Sequence, residues 1–418
     1  MPFHHHTISN GLQVIGETSP SARSVALGFF VRTGSRDETA DVSGVTHFLE
    51  HMVFKGTPRR SALEVNLDFD RIGANYNAFT SEENTVFYAA ILPEYLPQAV
   101  DILADILRPS LRSEDFDMEK NVIIEEIGMY DDQPMTSAFD KAKRAYFAEH
   151  PLGNSILGTK ESITALKRDQ MQAYFERRYV APNVTVVAAG NFEWKSLTAL
   201  VTGRCGKWNS GSVGRKGVRA SGGSGAFEVV TREAVAQEHV ILVSPGPPAH
   251  SPLRYAAGTL GMIVGDDAGS RLYWALVDPG LAESADMSFH DYEGTGSFYT
   301  SFSCEPDNAA KNLVLVHRVL RAVQLDGVSE EELQQAKSKI LSRIVRASER
   351  PMGRMQAIGM DWIYLGKYRT ADEELKAYDA VSVKTIRRLL EKYLLERITT
   401  LALGPLKKLR RVGGNGRA

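Results

Sequence analysis

The sequence predicts an α+β protein made of two similar halves, and three observations support this fold class. The chain has 418 residues, which is too long for one ordinary hydrophobic core. A segment rich in glycine and serine interrupts it at residues 209–226. The order of predicted strands and helices before this segment returns after it. We therefore expect a first domain at residues 1–208, a linker at 209–226 and a homologous second domain at 227–418.

The first half opens with a predicted strand at residues 6–17 that turns at Asn10-Gly11, a dipeptide typical of hairpins. His4, His5 and His6 stand at its start. Adjacent side chains of a strand point to opposite faces, so these three histidines cannot all bind one metal ion. We interpret them as part of an N-terminal strand or as the remnant of an added tag.

Capping signals define the helices that follow. Ser61 and Glu64 form a candidate capping box at the start of a helix that ends at Gly73. Pro93 starts another helix, and Ser113 is the predicted N-cap of a third, whose first turn is acidic. Apolar periodicity completes the first half with strands at 24–32, 75–79, 84–91 and 184–189, and helices at 42–54, 61–72, 92–107, 113–130 and 169–179.

The second half repeats this order. Its predicted strands are 239–244, 285–289, 297–302 and 399–403, and its helices are 253–260, 269–277, 308–325, 329–348 and 385–394. Aligning Ser113 with Ser329 places Gln335 opposite Glu119 and Ser342 opposite Glu126. The second copy therefore keeps the helix without its carboxylates, as expected of a duplicated domain in which one copy became a scaffold.

The chemistry of the first half is concentrated in His47-Phe48-Leu49-Glu50-His51. Two histidines four apart on a helix share one face and can reach one metal ion. Glu50 projects close to that face, so it can contact a water on the metal without being a ligand. A later carboxylate would complete a three-ligand catalytic zinc site with one position open for water. The order H-x-x-E-H is the inverted zincin motif, whose chemistry is metal-assisted peptide hydrolysis. Ordinary packing of two helix histidines is the alternative.

The residues around this motif resemble the pitrilysin, or insulinase, family of inverzincin zinc peptidases. Residues 44–57 match it closely, and Glu119 and Glu126 repeat the family's two glutamates seven residues apart. The closest likeness is to the mitochondrial processing peptidase β-subunit and its bacterial relatives, strongest up to about residue 200. The resemblance implies the metallohydrolase fold of the processing-peptidase type: two homologous domains, each a mostly antiparallel sheet with helices packed on one side.

The resemblance also implies one zinc ion (Zn²⁺) per chain, bound by His47, His51 and Glu126. Adjacent helix residues point about 100° apart, so Glu125, the rival of Glu126, cannot face the metal as well. Glu50 would be the general base that takes a proton from the attacking water and passes it to the leaving amine.

Glu119 would support catalysis by hydrogen bonding to a ligand or by its charge. A solvent-exposed helix glutamate is the alternative reading.

The segment Asn77-Ala78-Phe79-Thr80 resembles the family's substrate-binding strand. It is either an internal strand or an exposed edge that pairs with the backbone of the substrate. The second domain departs from the family pattern. Relatives usually carry an arginine and a tyrosine that help to bind substrate, and this chain has Leu276 and Glu283 at those positions. The usual contribution of the second domain is therefore in doubt.

Composition excludes several other classes of protein. A net charge of −2 argues against a nucleic-acid-binding protein, and no apolar run is long enough to cross a membrane. The N-terminus lacks the apolar stretch of a signal peptide. Cys205 and Cys304 lie far apart and suit free thiols in a reducing compartment. We expect a cytoplasmic protein that binds neither nucleic acid nor membrane.

Together these features predict a zinc metalloendopeptidase that hydrolyses extended peptides or presequence-like segments. Relatives of this length pair two chains around the substrate, so a homodimer is expected, with a heterodimer containing a site-less homologue as the alternative. A non-catalytic scaffold or binding subunit is the competing function. The intact motif argues against it, and the lost arginine and tyrosine argue for it. A zinc hydrolase acting on a non-peptide substrate is a third reading, which the substrate-strand segment disfavours.

Overall fold

The computed structural model of the protein describes residues 1–212, 214–215 and 223–412. The chain divides into two compact units, each assembled from three separate stretches. These are Met1–Gly128, Asn154–Lys216 and Val345–Ala371 for the first unit, and Met129–Gly153, Gly217–Ile344 and Asp372–Ala418 for the second. Residues 213 and 216–222 of the predicted linker lie outside the described residues. The predicted boundary between two contiguous domains stays a prediction.

The first unit is built on a six-stranded sheet. Its strands are β1 (Phe3–Thr7), β2 (Gln13–Thr18), β3 (Val25–Val31), β4 (Asn75–Thr80), β5 (Thr85–Ile91) and β6 (Val184–Gly190). They lie in the order β1-β2-β6-β3-β5-β4, with β2 and β6 parallel and the other pairs antiparallel. All residues of β3 are buried, whereas β4 is half-exposed at one edge. The predicted hairpin is confirmed, and Gly11 turns it with φ +92°.

The helices of the first half belong mainly to this unit, and one of them, Pro134–Phe147, belongs to the second unit. They are α1 (Val45–Val53), α2 (Ala62–Arg71), α3 (Leu96–Ile106), α4 (Ser113–Asp131), α5 (Pro134–Phe147), α6 (Lys160–Ala165), α7 (Arg168–Arg178) and α8 (Trp194–Cys205). One apolar core joins α1, α3 and the sheet through Phe29, Phe48 and Leu103, all buried. The predicted capping box is confirmed: Glu64 N donates to Ser61 Oγ at 3.3 Å, and Ser61 N donates to Glu64 Oε2 at 2.7 Å.

The second unit repeats the arrangement with five strands. They are β7 (Phe227–Thr231), β8 (Glu238–Gly246), β9 (Ser284–Tyr292), β10 (Thr295–Cys304) and β11 (Thr399–Gly404). Their order is β7-β11-β8-β10-β9, and again one pair, β7 and β11, is parallel. The helices of the second half are α9 (Arg254–Gly265), α10 (Pro306–Asp326), α11 (Glu330–Ser348), α12 (Pro351–Leu365), α13 (Ala371–Asp379) and α14 (Val383–Lys392).

Each sheet receives on its second face a helix from the other half of the chain. Helix α5 packs Ala138 and Ala142 against Ile241 and Leu401 of the second sheet. Helix α12 belongs to the first unit, where it packs against the face of the sheet opposite α1; the residues in that cluster are Ile15, Ala26, Phe30, Val86, Val187, Ala189, Met355 and Ile358. Neither helix was predicted from the sequence.

A buried ion pair fixes α12 to the first sheet. Arg354 donates from Nε to Glu17 Oε1 at 2.9 Å and from a terminal nitrogen to Glu17 Oε2 at 2.6 Å. The hydroxyl of Tyr368 donates to the same carboxylate at 2.7 Å. Because both charged side chains are removed from water, this contact depends on the two groups remaining paired.

The predicted α+β class with two sheets is confirmed. One predicted helix, residues 269–277, is wrong in type, because the chain forms a π-helical turn at Tyr273–Val277 there. None of the helices in the described part of the chain combines the length and the apolar composition needed to cross a lipid bilayer.

Candidate metal centre

Helix α1 carries the motif, and a buried carboxylate supports its first turn. Gly44 precedes the helix with φ +89°, where a side chain would also approach Leu157 O at 2.5 Å. Glu38 accepts hydrogen bonds from Gly44 N at 2.7 Å and Thr46 N at 2.8 Å. Burial raises the pKa of Glu38 to about 8, against the opposing effect of these hydrogen bonds. The first turn of α1 is thus capped by the buried side chain of Glu38, because the N-cap residue Gly44 has no side chain.

His47, His51 and Glu126 come together between α1 and α4, with their candidate ligand atoms within 4.8 Å of one another. His47 Nε2 lies 3.7 Å from Glu126 Oε1, and His51 Nε2 lies 3.5 Å from Glu126 Oε2. Glu125 is exposed and takes no part in this group. The structure therefore brings together the three residues predicted as ligands and leaves out the neighbouring rival.

The donor set fits a zinc ion. Within the described residues, His47 Nδ1 and Glu126 Oε2 are buried and make no hydrogen bond. Burial, reinforced by the nearby His51, lowers the pKa of His47 to about 3, so that its imidazole is neutral. Neutral imidazole and carboxylate are the ligand forms that catalytic zinc sites use. Burial also raises the pKa of Glu126, which the charge of His51 opposes.

Glu119 orients His51 from behind. Glu119 Oε1 lies 2.9 Å from His51 Nδ1, and its Oε2 lies 2.5 Å from Lys55 Nζ. Burial opposes ionisation of Glu119, but the hydrogen bonds to His51 and Lys55 lower its pKa below the ordinary value. Because Glu119 engages Nδ1, the ring turns its Nε2 toward Glu126. Glu119 is 3% exposed, unlike the solvent-exposed glutamate of the alternative reading.

Lys55 was not predicted from the sequence. It lies two residues beyond the end of α1 at Val53, so helical spacing gave no signal for its contact with Glu119.

Glu50 is held by the predicted substrate strand. The Thr80 hydroxyl donates to Glu50 Oε2 at 2.6 Å. Burial raises the pKa of Glu50, while this hydrogen bond and the charge of His51 act in the opposite direction. Thr80 was predicted from the sequence as a substrate-binding residue, and in the structure its side chain contacts Glu50.

The other residues of the predicted substrate segment lie on β4, the edge strand of the first sheet. Asn77 is exposed, and its side-chain oxygen accepts a hydrogen bond from Ala78 N at 2.8 Å. Ala78 and Phe79 are half-buried and pair through the backbone with β5. Of the two readings of this segment, the strand lies at an edge and is not internal.

The second unit places Leu276 and Glu283 in different surroundings. Leu276 is fully buried in the apolar core around α9 and α10. Glu283 accepts a hydrogen bond from Gln237. Neither side chain offers the cationic or phenolic group that the family resemblance implied at these positions.

Comparison with known proteins agrees with this geometry. Residues 13–160 match the family model described as insulinase, peptidase family M16, and residues 165–340 match the one described as the peptidase M16 inactive domain. An uncharacterized zinc protease of Mycobacterium tuberculosis is 33% identical over 405 residues, covering 96% of this chain and 92% of the relative. The chain belongs to peptidase family M16.

Two further similar proteins extend the comparison. The mitochondrial-processing peptidase subunit beta of Lentinula edodes is 32% identical over 414 residues, or 95% of this chain and 88% of the relative. The crystal structure of a protease from Helicobacter pylori has a TM-score of 0.91 at 20% identity and covers 97% of this chain and 99% of that one. The latter likeness supports the M16 fold. The segment that matches the inactive domain includes Gln335, which stands where α4 has Glu119.

Proposed function

We propose that this chain is a zinc-dependent metallopeptidase that hydrolyses peptide bonds in extended peptides or presequence-like segments. The proposal is carried by one observation: His47, His51 and Glu126 form a compact ligand group. Glu50 follows on the same helix as the histidines and is oriented by Thr80. The names of the zinc-protease relatives and the family membership support this reading.

Each residue of the centre has a role in this proposal. His47, His51 and Glu126 would hold the ion. When bound, Zn²⁺ lowers the pKa of water and polarises a peptide carbonyl. Glu50 takes the proton of the attacking water and delivers it to the leaving amine. Its raised pKa brings its proton affinity closer to neutral pH, which suits a group that must both accept and release a proton.

Strand β4 is the proposed docking site for the substrate backbone. It is the last strand of the six-stranded sheet, so one of its edges pairs with β5 and the other edge faces away from the sheet. An extended peptide added there would form main-chain hydrogen bonds that do not depend on its sequence. Thr80 would then link the substrate strand to Glu50, so that a peptide seated on β4 lies next to the general base.

Cleavage of a quenched fluorescent peptide library tests the proposal. Wild type, Glu50→Gln and a chelator-treated sample are compared, with zinc measured on each. We expect wild type to cleave, the chelated sample to be inactive, and E50Q to lose about 10²–10⁴-fold in kcat while keeping its zinc, because the base is lost and the ligands remain. Absence of bound zinc in the wild-type protein would refute the metal centre.

A scaffold or binding subunit without turnover is the second candidate, favoured by the burial of Leu276 and the pairing of Glu283. It predicts zinc bound but no cleavage by wild type alone.

A two-chain assembly is compatible with both functions. We propose a homodimer, with a heterodimer as the alternative. Light scattering on the purified chain measures the mass of the assembly directly.

A further inference from the structure

A buried ionic cluster joins the loop that precedes α1 to the turn after β4, to the end of α7 and to residue 215. Its carboxylates are Asp37 and Glu83, with side chains 4% and 0% exposed. Its guanidinium groups are Arg36, Arg178 and Arg215, with side chains 4%, 7% and 5% exposed. Charges removed from water to this degree are retained only when they are paired. The cluster is therefore a fixed part of the first unit.

Arg215 bridges the two carboxylates. It donates to Asp37 Oδ1 at 3.0 Å and Asp37 Oδ2 at 2.8 Å in a forked arrangement. It also donates to the Glu83 backbone oxygen at 2.6 Å and lies 3.5 Å from Glu83 Oε1. A planar guanidinium can span two acceptors in this way, and an ammonium cannot.

Each carboxylate of this bridge lies close in sequence to a residue that helps to position Glu50. Asp37 is followed by Glu38, which holds the first turn of α1. Glu83 lies in the turn after β4, a few residues beyond Thr80, whose hydroxyl contacts Glu50.

Backbone hydrogen bonds tie the two sides together as well. Ser35 N donates to Ser81 O at 3.3 Å, and Arg36 N donates to Glu82 O at 2.8 Å. The loop ahead of α1 and the turn after β4 thus form one assembly.

We propose that Arg215 is a positioning residue for peptide hydrolysis, which locks the loop before α1 to the turn after β4 and so fixes the carboxylate of Glu50. The inference rests on the proposed function. Displacement of a reacting group by about 1 Å can cost up to about 10²-fold in rate, so a distant clamp of this kind has a measurable effect. Arg215 comes from the segment predicted as a flexible linker, and that connection therefore contributes to the geometry of the centre.

The test compares full-length wild type with Arg215→Ala, Arg215→Lys and the control Arg354→Ala. Arg354 is a matched control because it also forms a buried, forked pair with a carboxylate of the first unit, on the sheet face opposite α1. We expect R215A to keep its zinc and lose about 10-fold or more in kcat with KM changed by less than about threefold. R215K stays impaired, because an ammonium cannot bridge the two carboxylates.

Rescue by free guanidinium separates positioning from general destabilisation. Guanidinium chloride at tens of millimolar should restore several-fold of the lost kcat in R215A and none in R354A. A wild-type kcat in R215A, an equal loss in R354A, or no rescue would each overturn the inference. If R215A does not fold, Arg215→Gln replaces it under the same criteria.

Hydrogen exchange gives a readout that does not need peptidase activity. In zinc-loaded protein, R215A should exchange faster than wild type at residues 34–38 and 80–84, with α12 unchanged. If wild type cleaves no peptide but this exchange pattern appears, the proposed function fails and the clamp stands. Unchanged exchange in these two segments would refute the clamp itself.

Discussion

Helices α4 and α11 occupy equivalent places in the two halves, and each is 19 residues long. Helix α4 begins at Ser113 and α11 begins directly after Ser329, and each buries an apolar stripe, including Phe116 and Ile123 in α4 and Leu333 and Ile340 in α11. They differ at the two positions that matter for a metal, where α11 has Gln335 and Ser342. The apolar residues that pack each helix are therefore independent of the carboxylates that α4 would contribute to a metal site.

The two sheets likewise share a backbone arrangement although only the first unit has the metal-compatible side chains among the described residues. The order β2-β6-β3-β5-β4 of the first unit is repeated as β7-β11-β8-β10-β9 in the second, including its one parallel pair. Among the described residues, a metal-compatible group of side chains forms in the first unit alone. One backbone plan thus appears twice, and three side chains distinguish the copy that can hold zinc.

The largest expected effect comes from giving α4 the side chain of α11. Glu126→Ser removes one of three proposed ligands, so we expect zinc affinity to fall by more than about 100-fold, beyond the effect of losing an outer contact. Competition with a chromophoric chelator measures it. The matched reverse change, Ser342→Glu, should not raise the zinc stoichiometry, because α11 faces no histidine pair. Wild-type affinity in E126S would remove Glu126 from the ligand set.

A comparison of folding stability separates α12 from α5. Arg354→Ala leaves Glu17 buried beside α12 without its cation and should cost about 3–5 kcal/mol. Arg232→Ala is its counterpart in the second unit, where Arg232 lies 3.4 Å from Asp131 near the start of α5. Arg232 also donates to Asp131 O and to Ser137 Oγ, but the pair is partly exposed and its loss should cost about 1–2 kcal/mol, less than the loss of the Arg354 pair. Urea-unfolding midpoints compare the two variants, and equal shifts would contradict the difference in anchoring.

The smallest expected effect concerns the first turns of α1 and α9. Glu38 holds α1 with a pKa raised to about 8, while α9 starts at Leu253 without a side-chain cap. Because the folded-state pKa exceeds the unfolded value, the folded state binds the extra proton. This stabilisation is complete below about pH 4.5 and is lost as the pH rises through about 8.

Thermal unfolding of zinc-free protein between pH 5 and pH 8.5 checks this sign. We expect wild type to lose a few degrees more in Tm than Glu38→Gln over this range, because glutamine does not ionise. An equal loss in the two proteins would show that Glu38 is ionised in the folded state throughout the range and would contradict the raised pKa.

Much of the candidate site followed from spacing along single elements. His47 and His51 are one helical turn apart, and Glu119 and Glu126 are two turns apart, so periodicity alone assigned them to shared faces. The capping box at Ser61 and the Asn10-Gly11 hairpin were likewise local signals, and both are confirmed. Helices α5 and α12 were missed because their partners lie in the other half of the chain.

What the sequence by itself determined is the set of groups that repeat at the period of one helix or strand: the motif, its distal glutamates and the doubled α+β plan. The tertiary structure alone decided which elements meet. It placed Glu126 beside the histidines, Thr80 on Glu50, Lys55 on Glu119 and Arg215 between Asp37 and Glu83. The physical reason is that such contacts join residues tens to hundreds of positions apart, where no local periodicity links them and only the packing of the folded chain sets their distance.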